Sequence, residues 1–356
     1  MKKLGKSEAL LDLINRPGFT VMHGRISHIN QAAGAIHIQE GTPVESLLPN
    51  DMQAYKDFTG GCLYLSVRVY DVDCGASVTR NGKTDIFILD DPTGGDQLTA
   101  LALAGNQLKT PLSSITALLD THFTDKTIHD PDMLRHLSQI RKNLSRLYRS
   151  ALAMSDCCSW TAKCADRDTG DLCAVFKEVM EKCTTLLSKD GIFIQYSYPR
   201  EAVITQFHYE MLYRAMLNMV SNAAKYSVLK PMIDAELTVT GDRARISVQS
   251  PCSDEEQHLF YNAFSNYLRK PSLEDSRLGI GLGMTYIRNA AISHNGTALI
   301  DRPGGDKIRV SITLKLEPPT SSTVLRNHIG RLSNYAGGMD LALIELSDVL
   351  SAQNYH

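Results

Sequence analysis

The sequence predicts a multidomain α+β protein, because the spacing of its apolar residues changes twice along the chain. Alternation of apolar and polar residues up to about Asp91 favours short strands. From Gly94 the apolar residues recur every three or four positions, which is typical of helices. From Asp168 to Leu316 helical and strand-like stretches alternate, as in a sheet covered by helices. A length of 356 residues is enough for two or three such units.

The bulk composition is that of an ordinary globular protein. An apolar fraction of 43%, a charged fraction of 21% and a net charge of -2 argue against a disordered chain or a polycation. We therefore expect no nucleic-acid partner. No stretch approaches about eighteen unbroken apolar residues, and the first residues lack an apolar signal core, so we expect no membrane span and a cytoplasmic location. The eight cysteines are scattered without paired metal-site spacing, which favours reduced structural thiols.

Residues 1–93 are expected to form a small antiparallel sheet with helices on one face. The strand-like stretches are residues 18–30, 61–71 and 76–91. Asn81-Gly82 between alternating apolar residues predicts a hairpin. The run Pro17-Gly18-Phe19, the turn at Gly24 and the helix start at Asn30 resemble the opening of a PAS domain. That resemblance implies a sensor domain of α/β type, and the residues leave open whether it binds an unknown ligand or only mediates dimer contacts.

Residues 94–160 are expected to form a helical hairpin. The apolar seam consists of Leu101, Ala104, Leu108, Leu112, Ile115 and Leu119 on the first helix, and of Met133, Leu137, Ile140, Leu144 and Leu147 on the second. Asp130-Pro131 is a typical entry to the second helix. One hairpin cannot cover its own seams, so we expect two copies to pair into a four-helix bundle. The sequence therefore predicts a homodimer.

Residues 168–317 alternate helices with strands and predict a mixed sheet covered on one face by helices. The longest helical stretch in this part is the run from Phe207 to Ser227. After Pro318-Pro319 the composition becomes polar. Residues 318–356 are therefore expected to be a linker that ends in a short amphipathic helix, to which the sequence assigns no function.

The run from Asn106 to Leu112, Asn-Gln-Leu-Lys-Thr-Pro-Leu, resembles the phospho-acceptor box of sensor histidine kinases, which usually reads His-Glu-Leu-Arg-Thr-Pro-Leu. A proline inside a helix costs about 3 kcal/mol, yet the apolar seam continues past Pro111, as in that family. Here Asn106 stands in place of the histidine and Gln107 in place of the acidic residue. A carboxamide nitrogen has a delocalised lone pair and cannot replace the imidazole nucleophile. We therefore expect no autophosphorylation.

Three histidines lie near this box and could in principle accept a phosphoryl group instead. They are His122, His129 and His136. Their positions in or beside the loop between the two helices favour solvated surface residues.

The run from Asn218 to Ser227 resembles the N box of the histidine kinase ATPase domain. A four-residue step puts Asn218 and Asn222 on one face of a helix. The resemblance implies that Asn218 contacts the nucleotide and that Asn222 holds Mg²⁺ at the triphosphate of ATP. It also implies that Lys225 meets phosphate charge and that Tyr226 lies against the nucleotide. The simpler alternative is an amphipathic helix whose polar residues face water.

The run from Leu278 to Ile287 resembles the G2 box, in which glycines open a helix beneath the ATP phosphates. Glycines allow close backbone approach, and a helix N-terminus offers unpaired N–H groups to anions. The residues that this resemblance assigns to the nucleotide are Gly279, Gly281, Leu282 and Gly283. The preceding run 259–264 resembles the F box, and residues 265–277 would form a lid.

The adenine end of the site departs from the family pattern. Residues 250–256 stand where the family has Asp-x-Gly-x-Gly, and they lack both glycines. Loss of a charge-assisted hydrogen bond at a buried position costs about 1.5 to 3 kcal/mol, or roughly ten- to a hundredfold in affinity. Asp254 is offset from the expected position. We therefore expect binding of ATP with Mg²⁺ to be weakened or lost.

These motifs predict a degenerate member of the sensor histidine kinase family, a pseudokinase of a two-component system. It would act as a dimeric signalling adapter or regulator toward a response regulator or an active histidine kinase. Two alternatives stay open. One is an active ATP-dependent kinase or ATPase that transfers phosphate to a partner, and the other is a nucleotide-independent small-molecule sensor.

Overall fold

The computed structural model describes the chain from residue 6 to residue 355, with gaps. The gaps are position 71 and residues 91–94, 124–129, 157–166, 227–231, 253–281, 305, 318–329, 331, 334, 336 and 337.

The N-terminal part is an antiparallel sheet with short helices. Its elements are α1 (Lys6–Leu11), β1 (Gly18–Met22), β2 (Arg25–Ile29), α2 (Gln31–Ala35), α3 (Met52–Asp57), β3 (Cys62–Val69), β4 (Val72–Asn81) and β5 (Thr84–Leu89). The strands lie in the order β2-β1-β5-β4-β3. The predicted Asn-Gly turn joins β4 to β5, with Gly82 at a φ of 64°. Phe19 and Phe87 stack at 4.8 Å in the core beneath these strands.

Two long helices follow, α4 (Gly95–His122) and α5 (Pro131–Asp156), and they pack against each other. Helix α4 continues through Pro111, as the apolar seam predicts. The Asp130 carboxylate accepts a hydrogen bond from the Asp132 N–H at 3.0 Å, which satisfies a free donor in the first turn of α5. Neither of these helices, nor any other helix in the described parts of the chain, is long and apolar enough to cross a membrane.

The C-terminal part is the predicted mixed sheet with helices. Its elements are β6 (Asp168–Asp171), α6 (Leu172–Ser188), β7 (Phe193–Ser197), β8 (Ile204–Phe207), α7 (Tyr209–Tyr226), β9 (Met232–Thr240), β10 (Arg243–Pro251), α8 (Leu282–Ser293), β11 (Ala298–Gly304) and β12 (Lys307–Lys315). Strand β7 runs parallel to β9, whereas β9, β10, β12 and β11 pair antiparallel. Strands β6 and β8 pair separately. The apolar faces of α6, α7 and α8 pack into one core, which includes Phe176, Leu212 and Ile287.

The two sheets are joined edge to edge. Strand β3 pairs antiparallel with β11, with Tyr64 opposite Ala298 and Cys62 opposite Ile300. In the described residues, ten strands therefore form one continuous sheet, whereas the sequence suggested separate units. Without this pairing, β3 and β11 would each leave backbone N–H and C=O groups unpaired at the edge of a sheet.

The C-terminal segment, residues 338–355, packs into the core of this second part. It contains α9 (Leu341–Glu345) and a 3₁₀ turn (Ala352–Asn354). Its fully buried apolar residues are Leu341, Ala342, Ile344, Leu346 and Leu350. Glu345 is buried as well, with a 2% exposed side chain. The short helix is present, but the segment differs from the expected amphipathic tail because its polar side is covered by α5 and α7.

Candidate functional site

Helices α7 and α8 bring two of the predicted motifs together. An added Cβ atom on Gly283 would lie 3.0 Å from the Asn218 Oδ1 atom, so the first turn of α8 touches the middle of α7. The Asn222 Nδ2 atom lies 3.2 Å from the sulfur of Met284. The N box and the end of the glycine-rich run are thus neighbours in space, although a long stretch of chain separates them in sequence.

Several predicted site residues lie outside the described part of the chain. These are Gly279 and Gly281, the 259–264 and 265–277 runs, and Asp254. The side chains of Tyr226 and Leu282, at the end of α7 and the start of α8, are likewise outside it. The described site residues are therefore mainly those of the predicted phosphate end. From the predicted adenine end, the structure describes Ser250, which is buried on β10.

Asn218 is buried and lies at the centre of a hydrogen-bond network. Its Nδ2 group donates to the Arg214 carbonyl at 3.0 Å and to Glu345 Oε2 at 3.2 Å. Its Oδ1 atom accepts a hydrogen bond from Arg149 Nη2 at 3.3 Å. The same Arg149 nitrogen donates to Ser221 Oγ at 3.3 Å. Helix α5 and the C-terminal segment therefore both bind the N box.

Arg214, one turn before Asn218 on α7, is a buried cation between two carboxylates. Its Nε donates to Glu345 Oε1 at 2.7 Å, and its Nη1 pairs with Asp156 at the end of α5. Its guanidinium lies 4.4 Å from the ring centroid of Tyr286 on α8. Burial opposes the charged form, but Tyr286, and then the carboxylates of Glu345 and Asp156, hold the pKa of Arg214 above its ordinary value. The Arg214 guanidinium on α7 therefore contacts side chains of α5, α8 and α9.

Lys225 lies in an ion-pair cluster with Asp348. The Lys225 Nζ atom is 2.7 Å from Asp348 Oδ2, Arg149 Nη1 is 2.5 Å from the same oxygen, and Arg146 Nε is 3.4 Å from Oδ1. Burial and then the charge of Arg149 lower the pKa of Lys225. Burial raises the pKa of the Asp348 carboxyl group, but the charges of Arg149 and Lys225 lower it below its ordinary value. The Asp348 carboxylate is therefore charged at neutral pH.

Sequence reasoning missed six residues of this cluster: Arg146, Arg149, Asp156, Arg214, Glu345 and Asp348. One local signal could have indicated the last two. Glu345 and Asp348 interrupt the apolar run from Met339 to Leu350 three positions apart, a spacing that brings side chains to one side of a helical turn. Nothing local indicates which cations they meet, because those lie on α5 and α7.

The described arrangement does not fit Mg²⁺-ATP at its phosphate end. Lys225 and Asn218, which the family resemblance assigns to this end, already bind Asp348 and Glu345. Among the described residues, no group of three His, Cys, Asp or Glu side chains could hold a metal ion, so a cation there would need the nucleotide's own oxygens.

Comparison with known proteins agrees with the motifs. Residues 208–318, which contain α7, α8 and β9 to β12, match the family model of histidine kinase-, DNA gyrase B- and HSP90-like ATPases. The chain is 24% identical over 229 residues to the sensor histidine kinase RppB of Synechocystis, covering 60% of this chain and 48% of that protein. It is 24% identical over 222 residues to the sensor protein CutS of Streptomyces coelicolor, covering 59% and 51%.

Residues 208–318 belong to the family of histidine kinase-, DNA gyrase B- and HSP90-like ATPases, and the chain is similar to sensor histidine kinases. It spans about half the length of the curated relatives named above. Among solved structures it is similar to full-length ShkA in complex with AMPPNP, with a TM-score of 0.45 and 15% identity over 64% of this chain and 47% of that one. The family match implies the fold of an ATP-binding domain.

The position that the family resemblance assigns to the phospho-acceptor is on the surface of α4. Asn106 and Gln107 are both exposed there. The preceding Gly105 lies tightly against α5, since an added Cβ atom would be 2.6 Å from the Ala151 carbonyl oxygen. His122 and His136 are exposed toward the far end of the two helices, and His129 lies outside the described residues.

Proposed function

We propose that this chain is a two-component signalling protein that does not phosphorylate itself and acts as a dimeric adapter or regulator. The observation that carries the proposal is the exposed Asn106 on α4, at the position where the family has its phosphorylated histidine. A carboxamide offers no basic nitrogen to attack a phosphoryl group, and the neighbouring Gln107 cannot take up a proton at neutral pH. The partner would be a response regulator or an active histidine kinase.

The apolar surface of the two long helices supports the homodimer. On α4, Leu108 and Ile115 are 45% and 44% exposed, and they are one heptad apart. On α5, Met133, Ile140 and Leu147 form a second heptad series with 45%, 48% and 57% exposure. Three other seam residues, Leu112, Leu137 and Leu144, are buried within the chain. A second copy that covers the two exposed series would complete a four-helix bundle.

The junction between the two sheets supports a signalling role for the PAS-like part. Strand β3 belongs to the N-terminal sheet and pairs with β11 of the ATPase-type part, so a rearrangement in one sheet acts directly on the other. The last described residue before α4, Asp90, follows β5 of the same N-terminal sheet. A ligand or contact that selects one packing of this sheet would therefore shift α4 as well.

Phosphoryl labelling tests the proposal. The full chain is incubated with Mg²⁺ and γ-labelled ATP, and acid-labile phosphohistidine is measured beside the variants Asn106→His and Asn106→Ala. We expect no label in the unchanged protein or in Asn106→Ala. Label on any histidine of the unchanged chain would overturn the proposal, and the peptide map would show whether His122, His129 or His136 is the acceptor.

A further inference from the structure

Glu345 and Asp348 lie where the family resemblance expects nucleotide phosphates. We propose that the C-terminal segment, residues 338–355, is a built-in inhibitor of this site, and that its two carboxylates exclude Mg²⁺-nucleotide until the segment leaves. The proposal rests on the assignment of Asn218 and Lys225 to the phosphate end, which the family resemblance implies.

The surroundings of Asp348 are those of a bound oxyanion. Three cations approach its two oxygens: Lys225 and Arg149 at Oδ2, and Arg146 at Oδ1. Arginine forks and a lysine ammonium are the groups that proteins use to bind phosphate, and they bind a carboxylate by the same charge-assisted hydrogen bonds. A carboxylate and a phosphate therefore compete for one set of donors.

Glu345 occupies the adjacent position. Its Oε2 atom accepts a hydrogen bond from Asn218 and lies 3.3 Å from Arg149 Nε, while Oε1 accepts from Arg214. The side chain is 2% exposed, so these donors are closed to solvent as well as to a ligand. Arg149 binds both Glu345 and Asp348, so both carboxylates must leave to free its guanidinium.

Contacts away from the charges hold the segment in place. The Asp340 carboxylate accepts a hydrogen bond from the Ala342 N–H at 2.8 Å at the start of α9, and it also pairs with Lys182 of α6. At the other end, Asn354 Nδ2 donates to Asp190 Oδ2 at 2.9 Å. Between these two ends the apolar residues of the segment are buried in the main core. These contacts therefore hold the segment against α6 and the main core in this structure.

Competition for the same donors makes docking of the segment and binding of a polyphosphate mutually exclusive. Thermodynamic linkage then requires that weaker docking strengthens ligand binding by an equal factor. Removing the two carboxylate charges while keeping the apolar contacts should weaken docking selectively. Glu345→Gln with Asp348→Asn achieves this, because both substitutions preserve side-chain size.

Calorimetric titration of the full chain with Mg²⁺-tripolyphosphate tests the inference. Tripolyphosphate has no adenine, so its binding does not depend on the altered residues 250–256. We expect the double variant to bind at least about tenfold more tightly than the unchanged chain, within the usual range of coupling between sites. The matched control is Asp132→Asn, which removes a carboxylate charge at a 73% exposed position near the start of α5, outside the segment and its ion pairs, and we expect its affinity to match that of the unchanged chain within about twofold.

Equal affinity of the unchanged chain and the double variant would overturn the inference, and so would absence of binding to both. If circular dichroism shows that the double variant does not fold, the single variant Asp348→Asn is used, since Asp348 is the more exposed of the two carboxylates. The labelling experiment is independent of this one. Phosphohistidine in the unchanged chain would reject the proposed function, whereas the affinity ratio alone decides whether the segment inhibits the site.

Discussion

The carboxylate of Asp90 lies 3.3 Å from the guanidinium of Arg288, which joins the end of the N-terminal sheet to α8. The Arg288 side chain is 2% exposed, and its guanidinium lies 4.8 Å from the ring centroid of Tyr64 on β3. The Tyr64 hydroxyl donates to Asp90 at 2.5 Å, and Arg16 Nη2 donates to the same carboxylate at 2.8 Å. Because α8 starts beside Asn218, this contact connects the PAS-like part to the candidate site.

Replacing Arg288 with methionine should destabilise the fold. The change removes a buried cation from Asp90 and from the face of Tyr64, while Arg16 still neutralises the carboxylate. We expect a loss of about 2 to 4 kcal/mol in the free energy of unfolding, measured by urea titration. Arg16→Met is the comparison, since Arg16 is 19% exposed and should cost only about 1 kcal/mol. Equal effects of the two substitutions would contradict a special role for Arg288.

Gly61→Ala should weaken the pairing of β3 with β11. Gly61 has a φ of 93°, and an added Cβ atom would lie 2.0 Å from the Ile300 carbonyl oxygen, so the two backbones would have to separate. We expect a loss of more than about 2 kcal/mol, measured by thermal unfolding. The neighbouring Gly60 has no atom within 4 Å of an added Cβ, so Gly60→Ala is the matched control and should leave the melting temperature nearly unchanged. Similar melting curves for the two variants would show that the junction tolerates a side chain.

Charge on the exposed heptad of α5 should prevent dimer formation. Ile140→Glu and Leu147→Glu place carboxylates on the surface that a second copy would cover, and we expect a monomer by light scattering at micromolar concentration. Leu13→Glu is the control, because Leu13 is 79% exposed and lies far from the two helices in sequence. A dimer that persists in both α5 variants would place the interface elsewhere.

Stability should fall between neutral pH and about pH 4 because of His294. The His208 backbone N–H donates to His294 Nε2 at 3.0 Å, so Nε2 must be unprotonated and Nδ1 carries the proton toward the Ala290 carbonyl. Burial lowers the pKa of His294 to about 4, a direction that the nearby His208 and Arg167 reinforce and that the Ala290 hydrogen bond and Glu317 oppose. The group therefore contributes stability that is present above its unfolded pKa near 6.5 and is lost as the pH falls toward 4.

The full contribution of His294 to the free energy of unfolding is about 3 kcal/mol, because its pKa is about 6.5 in the unfolded chain and about 4 in the folded protein. Urea titrations at several pH values should show stability rising with pH over this window. His294→Gln should remove that part of the slope, whatever its effect at pH 7. An unchanged slope in the variant would assign the pH dependence to other groups.

Local patterns were sufficient for most of the secondary structure. The Asn81-Gly82 turn between alternating residues gives the β4–β5 hairpin, because glycine adopts the positive φ that this turn needs. The spacing of apolar residues predicts α4, α5 and α7, since a helix must bury one side. The four-residue step from Asn218 to Asn222 also gives the direction of the polar side of α7. Each of these features depends on residues within a few positions of one another.

The sequence reasoning did not predict the contacts between distant segments. The β3–β11 pairing depends on backbone hydrogen bonds, which do not depend on the identity of the side chains, so the sequence does not indicate it. The C-terminal segment was expected to be a short amphipathic helix after a linker, because Glu345 and Asp348 look like ordinary surface residues until their cations are known. Arg149 and Lys225, which bind Asp348, are on two different helices, and each on its own would be read as solvated.

The sequence by itself determined the resemblance to sensor histidine kinases, most of the helices and strands that carry the motifs, and the presence of Asn106 where that resemblance expects a histidine. All of these depend on residue identity and short-range spacing. Only the tertiary structure decided that one sheet joins the two parts and that the C-terminal carboxylates lie against Asn218 and Lys225. The physical reason is that burial of a charge is favourable only beside its partner, and the fold alone brings such partners together.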